Sequence, residues 1–97
     1  MIYLTAHSRV FDQPGQKFSI NPEGFHVFAV SWDQQEIIWY VDGRELRRQS
    51  TPPDMNKPMY MLANVAIGGA WPGDPDASNK WPARMSIDYI RAYRFVQ

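Results

Sequence analysis

The side chains in this sequence that could do chemistry are its carboxylates, its two histidines and its four tryptophans. The carboxylates come in three close pairs. Asp33 with Glu36 flanks a turn, Asp42 with Glu45 flanks a hairpin, and Asp74 with Asp76 sits in a loop around Pro75. Turn formation and solvation account for each pair, because Asp is a preferred turn residue, and no catalytic residue is assigned to them. A Ser-His-Asp arrangement, a phosphate-cradling glycine loop and a His-Glu-x-x-His motif are all missing from the sequence. Cysteine is absent, which excludes disulfides, thiolate nucleophiles and cysteine zinc sites. His7 and His26 are too few for a histidine-rich metal site, whereas a hard cation held by oxygens stays open.

The tryptophans carry a clearer signal. In Asn64-Val65-Ala66-Ile67-Gly68-Gly69-Ala70-Trp71-Pro72-Gly73-Asp74-Pro75-Asp76-Ala77, an apolar strand-like stretch ends at paired glycines, and a tryptophan follows in a loop restrained by two prolines. A flat ring held in this way suits a sugar, whose C–H face packs on an aromatic plane while its hydroxyls seek polar partners such as Asn64. The same residues would serve as loop punctuation, with Trp71 plugging the end of a core. Trp81 is a second candidate platform, although Lys80-Trp81-Pro82 also reads as a lead into the next strand. Trp32 and Trp39 lie inside strand patterns, where core packing is the expected role.

These residues must be positioned by β-structure. Alternation with period two recurs at short spacing and no segment holds a helical period, so strands are expected near residues 2–7, 17–20, 25–32, 36–41, 45–49, 59–65 and 85–95. Asp42-Gly43 between two such patterns is a strong two-residue hairpin signal. Antiparallel strands with short loops predict an all-β sandwich. The 97 residues, 44% hydrophobic and 14% aromatic, suffice for one core and one domain. Ten Lys and Arg balance ten Asp and Glu, which argues against a nucleic-acid or anionic membrane partner, and no apolar run approaches a membrane span.

Five blocks in order carry a resemblance. They are Phe25-His26-Val27-Phe28-Ala29-Val30-Ser31-Trp32, Ile38-Trp39-Tyr40-Val41-Asp42-Gly43, Pro58-Met59-Tyr60-Met61-Leu62-Ala63-Asn64-Val65-Ala66-Ile67-Gly68-Gly69, Trp71-Pro72-Gly73-Asp74-Pro75 and Ile87-Asp88-Tyr89-Ile90-Arg91-Ala92-Tyr93. Together they resemble the family 16 glycoside hydrolases, the laminarinases, lichenases and related β-glucanases with a concanavalin-like jelly roll. The resemblance implies an endo-acting, retaining polysaccharide hydrolase that needs no cofactor for catalysis and works outside the cell or in the periplasm. Tyr3-Leu4-Thr5-Ala6-His7-Ser8 is similar to the strand that follows the family's catalytic strand, which would turn Thr5 and His7 toward the cleft. Asp88 matches an aspartate that in the family often helps hold a structural calcium, and its fellow ligands would lie in the N-terminal part of the full-length parent.

The family's Glu-x-Asp-x-Glu or Glu-x-Asp-x-x-Glu signature is not present, since the three glutamates Glu23, Glu36 and Glu45 stand apart. The expectation is therefore one incomplete jelly-roll domain over residues 1–97, the C-terminal portion of the fold, with its catalytic strand upstream of Met1. Such a piece would be inactive alone, would supply Trp71, Asn64, His7, Thr5 and Trp81 to a sugar-binding cleft, and would self-associate or exchange strands through open sheet edges. A lectin-like binding module and an inactive truncated product are the alternatives.

Overall fold

Asp42 and Gly43 both adopt positive φ, 53° and 80°, and between them the chain reverses so that Val41 faces Arg44. A two-residue turn of this kind matches the right-handed twist of its strands. The computed structural model describes residues 2–9, 15–21, 23–65 and 84–95. The chain divides into two compact units, Met1–Met59 and Tyr60–Gln97. The first contains β1 (Ile2–Leu4), β2 (Gln16–Phe18), β3 (Phe28–Trp32), β4 (Glu36–Val41), β5 (Arg44–Ser50) and a single 3-10 turn, Pro53–Met55.

All pairings are antiparallel: β1 with β2 in one ladder, and β3-β4-β5 in the other. Strands without helices are what the alternating pattern demands, and the all-β class follows. The turn from β3 into β4 is closed by Asp33, whose Oδ1 accepts the N–H groups of Gln35 (2.8 Å) and Glu36 (2.9 Å). Thr51, just past β5, clamps the same turn by donating its hydroxyl to the Asp33 carbonyl at 2.8 Å and its N–H to that of Gln35 at 3.0 Å.

The core of this unit sits around β4. Ile37, Ile38 and Val41 are 3%, 8% and 6% exposed, and Ala6 beyond β1 is 5% exposed. Successive residues of a strand point to opposite faces, so adjacent buried Ile37 and Ile38 mark β4 as the strand shielded on both sides. Burial of an isoleucine contributes about 1.5–3 kcal/mol. In β5 the register slips between Trp39↔Arg47 and Tyr40↔Glu45, leaving Leu46 as the extra residue of a bulge. The bulge turns Leu46 and Arg47 both partly inward.

Six sequence expectations need correction. The strand expected over 2–7 stops at Leu4, and that over 17–20 shifts to Gln16–Phe18. Residues 25–27 do not join β3, because the Asp42 side chain takes the Val27 N–H at 2.8 Å in place of a ladder partner. Residues 59–65 and 84–95 carry no ladder among the described residues, and alternation alone cannot satisfy a backbone. Trp32 is 36% exposed rather than packed in a core, since it lies on the outer strand of the three-stranded sheet. No helix among the described residues is long and apolar enough to cross a membrane.

Candidate functional site

The stretch from Thr5 to Arg9 leaves the end of β1 and is fixed from three directions. Behind it, the Arg47 guanidinium donates to the Leu4 carbonyl. Arg47 is itself stacked over the Trp39 ring, 5.1 Å from the centroid, so its charge rests on an aromatic face instead of bulk water. The bulge in β5 is what aims Arg47 inward, and a cation there joins the two ladders of this unit through a side chain.

Ahead of the stretch, Asp54 in the 3-10 turn accepts the Ser8 hydroxyl at 2.5 Å and the Arg9 N–H at 2.7 Å. The Ser8 hydrogen bond first, and then the Arg9 N–H, hold the Asp54 carboxyl below its ordinary range. Beside it lies Gly15, opposite Thr5 in continuation of the β1–β2 register, and a Cβ at that position would run into Thr5 Oγ1. Thr5 is consequently half-buried against the neighbouring backbone, Ala6 is buried, and His7 is exposed.

Thr5 and His7 thus belong to one anchored stretch, from which His7 and Arg9 are exposed to solvent. Asn64 and Asp88 both lie in the unit Tyr60–Gln97 and are exposed there. Near Asp88, Arg91 stacks on Tyr89 with its guanidinium carbon 4.1 Å from the ring centroid. Trp71 and Trp81 fall outside the described residues, as do Asp74 and Asp76.

Four further carboxylates, those of Glu36, Glu45, Asp33 and Asp42, are engaged structurally. Arg48 is gripped by Glu36 at 3.1 Å and by Glu45 at 2.6 Å. Asp33 closes its turn, and the N–H groups of Glu36 and then Gln35 lower its pKa. Asp42 bonds His26 Nδ1 at 2.7 Å as well as the Val27 N–H, and those two contacts in that order lower its own pKa. Among the described residues no three His, Asp or Glu side chains gather as metal ligands. Asp88 therefore offers one carboxylate toward a calcium ion that wants six to eight oxygens, and the described residues do not by themselves fit that ion.

Sequence reasoning missed Arg47, Asp54 and the His26–Asp42 pair. Asp54 lies in a proline-rich connection and reads as a surface turn, and Arg47 is one of three arginines in β5 with nothing local to distinguish it. Only for His26 was there a usable sign. It stands one residue before Val27, whose backbone meets the Asp-Gly turn across the β3–β4 hairpin.

Comparison with known proteins identifies the family. The family model for glycosyl hydrolases family 16 matches residues 3–91. An endo-1,3-1,4-beta-glycanase of Rhizobium meliloti strain 1021 is 39% identical over 99 residues, covering 95% of this chain and 20% of its own length. A beta-glucanase of Rhodothermus marinus is 36% identical over 88 residues, 75% of this chain and 30% of that protein. A glucan endo-1,3-beta-glucosidase A1 of Niallia circulans is 34% identical over 94 residues, 82% of this chain and 13% of that protein. The chain thus spans about a fifth of the length of the Rhizobium relative it matches. No solved structure gives a significant match. Antiparallel strands, an Asp-Gly hairpin where the resemblance requires one, and a family match running almost end to end agree, and the chain belongs to the glycosyl hydrolases of family 16.

Proposed function

We propose that this chain is part of an endo-acting β-glucan hydrolase that cleaves with retention, to which it contributes a wall of the sugar-binding cleft and not the reacting carboxylates. The observation that carries this reading is the family match over residues 3–91 in a sequence without the Glu-x-Asp-x-Glu signature. Retaining hydrolysis needs a nucleophile and an acid/base about 5–5.5 Å apart. Two of the three glutamates, Glu36 and Glu45, are instead ion-paired to the one Arg48 guanidinium, at 3.1 Å and 2.6 Å.

Sugar recognition is assigned to Trp71 as stacking platform and Asn64 as hydrogen-bond partner, with Trp81, Thr5 and the exposed His7 contributing further contacts. The names of the relatives, glycanases and glucanases, support a β-glucan as the polysaccharide. The test is to incubate the purified chain with lichenan and laminarin, follow reducing-sugar release, and measure retardation in gels containing each glucan. Retardation without turnover is the expected result, and Trp71→Ala should weaken binding about tenfold, equivalent to about 1.4 kcal/mol. Turnover that tracks the chain through purification refutes the division of labour, and unchanged retardation in Trp71→Ala returns that ring to a packing role.

A further inference from the structure

Both ring nitrogens of His26 face acceptor atoms. Its Nδ1 lies 2.7 Å from Asp42 Oδ2 and its Nε2 lies 3.1 Å from the backbone oxygen of Glu23. A carboxylate and a carbonyl only accept, so both contacts are hydrogen bonds only when both ring nitrogens carry protons. A neutral imidazole keeps one of the two and turns the other into opposed lone pairs. The bond to the charged and nearer carboxylate is the stronger, so deprotonation breaks the bond to Glu23.

The Glu23 carbonyl belongs to a bend that feeds β3. Gly24 takes φ 79° in it, and the Glu23 N–H is bonded to Asn21 Oδ1 at 3.1 Å. We propose that His26 is a pH-sensitive latch that ties the Glu23-Gly24 bend to the Asp42-Gly43 turn while its ring is protonated and releases the bend when the ring loses a proton. The hairpin itself does not depend on the latch, because Asp42 Oδ1 still accepts the Val27 N–H and the Val27 carbonyl still accepts the Asp42 N–H, each at 2.8 Å.

The groups facing the ring fix the direction of the response. Among the described residues the charged one is Asp42, from the β4–β5 turn; the bend supplies the backbone oxygens of Asn21 and Glu23, and β3 supplies the Phe28 ring, 6.4 Å away between centroids. The Asp42 hydrogen bond, opposed by partial burial and aided by those backbone oxygens, holds the His26 pKa above 6.5. A raised value in the folded state means that the latch is fully closed below the unfolded value and opens as pH rises through the folded one. It also opens at strongly acidic pH, once Asp42 is protonated at its depressed pKa.

Cleavage by a Glu-specific endoprotease reads the bend directly, because the chain offers that enzyme Glu23 in the bend and Glu36 and Glu45 within the sheet as internal standards. The ratio of cutting after Glu23 to cutting after the other two should climb with pH above 6.5, by up to about tenfold per pH unit while the ring titrates. His26→Gln, checked for folding by far-ultraviolet circular dichroism, should give a ratio that no longer depends on pH. Long-range proton–nitrogen spectra of the unaltered chain should show both His26 nitrogens protonated below the midpoint, with the midpoint lowered in Asp42→Asn. A flat ratio in the unaltered chain, an equal rise in His26→Gln, or a ring still singly protonated below its titration midpoint overturns the latch.

Discussion

Gly15→Ala probes how Thr5 is held beside the candidate site. An ideal Cβ on Gly15 collides with Thr5 Oγ1 and comes 3.3 Å from Thr5 Cβ and 3.5 Å from Cγ2. Rotation about χ1 can move the hydroxyl, yet on a β-branched side chain it exchanges one substituent for another and leaves Cβ where it was. Overpacking of this kind costs about 1–3 kcal/mol. Alanine recovers about 0.4–1 kcal/mol of that by restricting the unfolded chain. The net loss should then be about 0–2.6 kcal/mol, read as a lower urea midpoint with unchanged slope from tryptophan fluorescence. In a Thr5→Ala background both Oγ1 and Cγ2 are gone and only the 3.3 Å Cβ contact remains, so Gly15→Ala should lose most of its cost. The double-mutant cycle should therefore show a coupling of about 1–3 kcal/mol, against about 0.3–0.5 kcal/mol for independent sites. Gly43→Ala is the control. Nothing lies within 4 Å of a Cβ there, so its cost of about 1 kcal/mol comes from φ 80° alone and should add to Thr5→Ala without coupling. Additivity between positions 5 and 15 would mean that the Thr5 side chain is not packed on Gly15, and would refute the geometry.

Asp54→Asn should flatten the acid limb of stability measured by urea midpoints. The Asp54 carboxyl is held below 3.8 by Ser8 and the Arg9 N–H, so its contribution is present above the unfolded value and lost as pH falls through the lower folded one; an unaltered acid limb would show that those bonds do not outlast solvation. Arg47→Met keeps apolar packing on Trp39 but removes the donor to Leu4, and amide exchange in β1 should accelerate about tenfold relative to β4, corresponding to about 1.4 kcal/mol. Equal acceleration of both strands would show that Arg47 supports the sheet as a whole and not the junction.

The parts of the fold legible in the sequence are those set by neighbours along the chain. Asp42-Gly43 is a turn because two consecutive residues tolerate positive φ, and β4 falls on Glu36–Val41 as its apolar and aromatic run indicates. Strand ends depart from the pattern where side chains take over from the ladder. Alternation continues from Phe25, yet the Asp42 carboxylate captures the Val27 N–H and β3 begins only at Phe28. In the same way, alternation over 59–65 and 85–95 states which faces such segments could bury, not which strand would bond them. Of the candidate site, Thr5 and His7 were named through resemblance alone. The groups that hold them were not, because Leu4 and Arg47 are 43 residues apart and Ser8 and Asp54 are 46 apart.

Those separations also explain why a three-residue strand can carry a fixed loop. Bringing Leu4 to Arg47 closes a long segment, and the entropy of closure is mostly incurred by the first contact. Once Leu4 is in place, Ser8 and Arg9 are only four and five residues further on, so engaging Asp54 costs little more than ordering the stretch between. Each anchor therefore strengthens the other beyond what its own hydrogen bonds supply. Thr5 packed on Gly15 and buried Ala6 fill the span between them, and His7 is left facing solvent on a backbone that cannot easily retreat. In the proposed cleft, a polar side chain presented from such a stretch would meet a sugar hydroxyl without first having to be ordered, and that saved ordering would add to affinity.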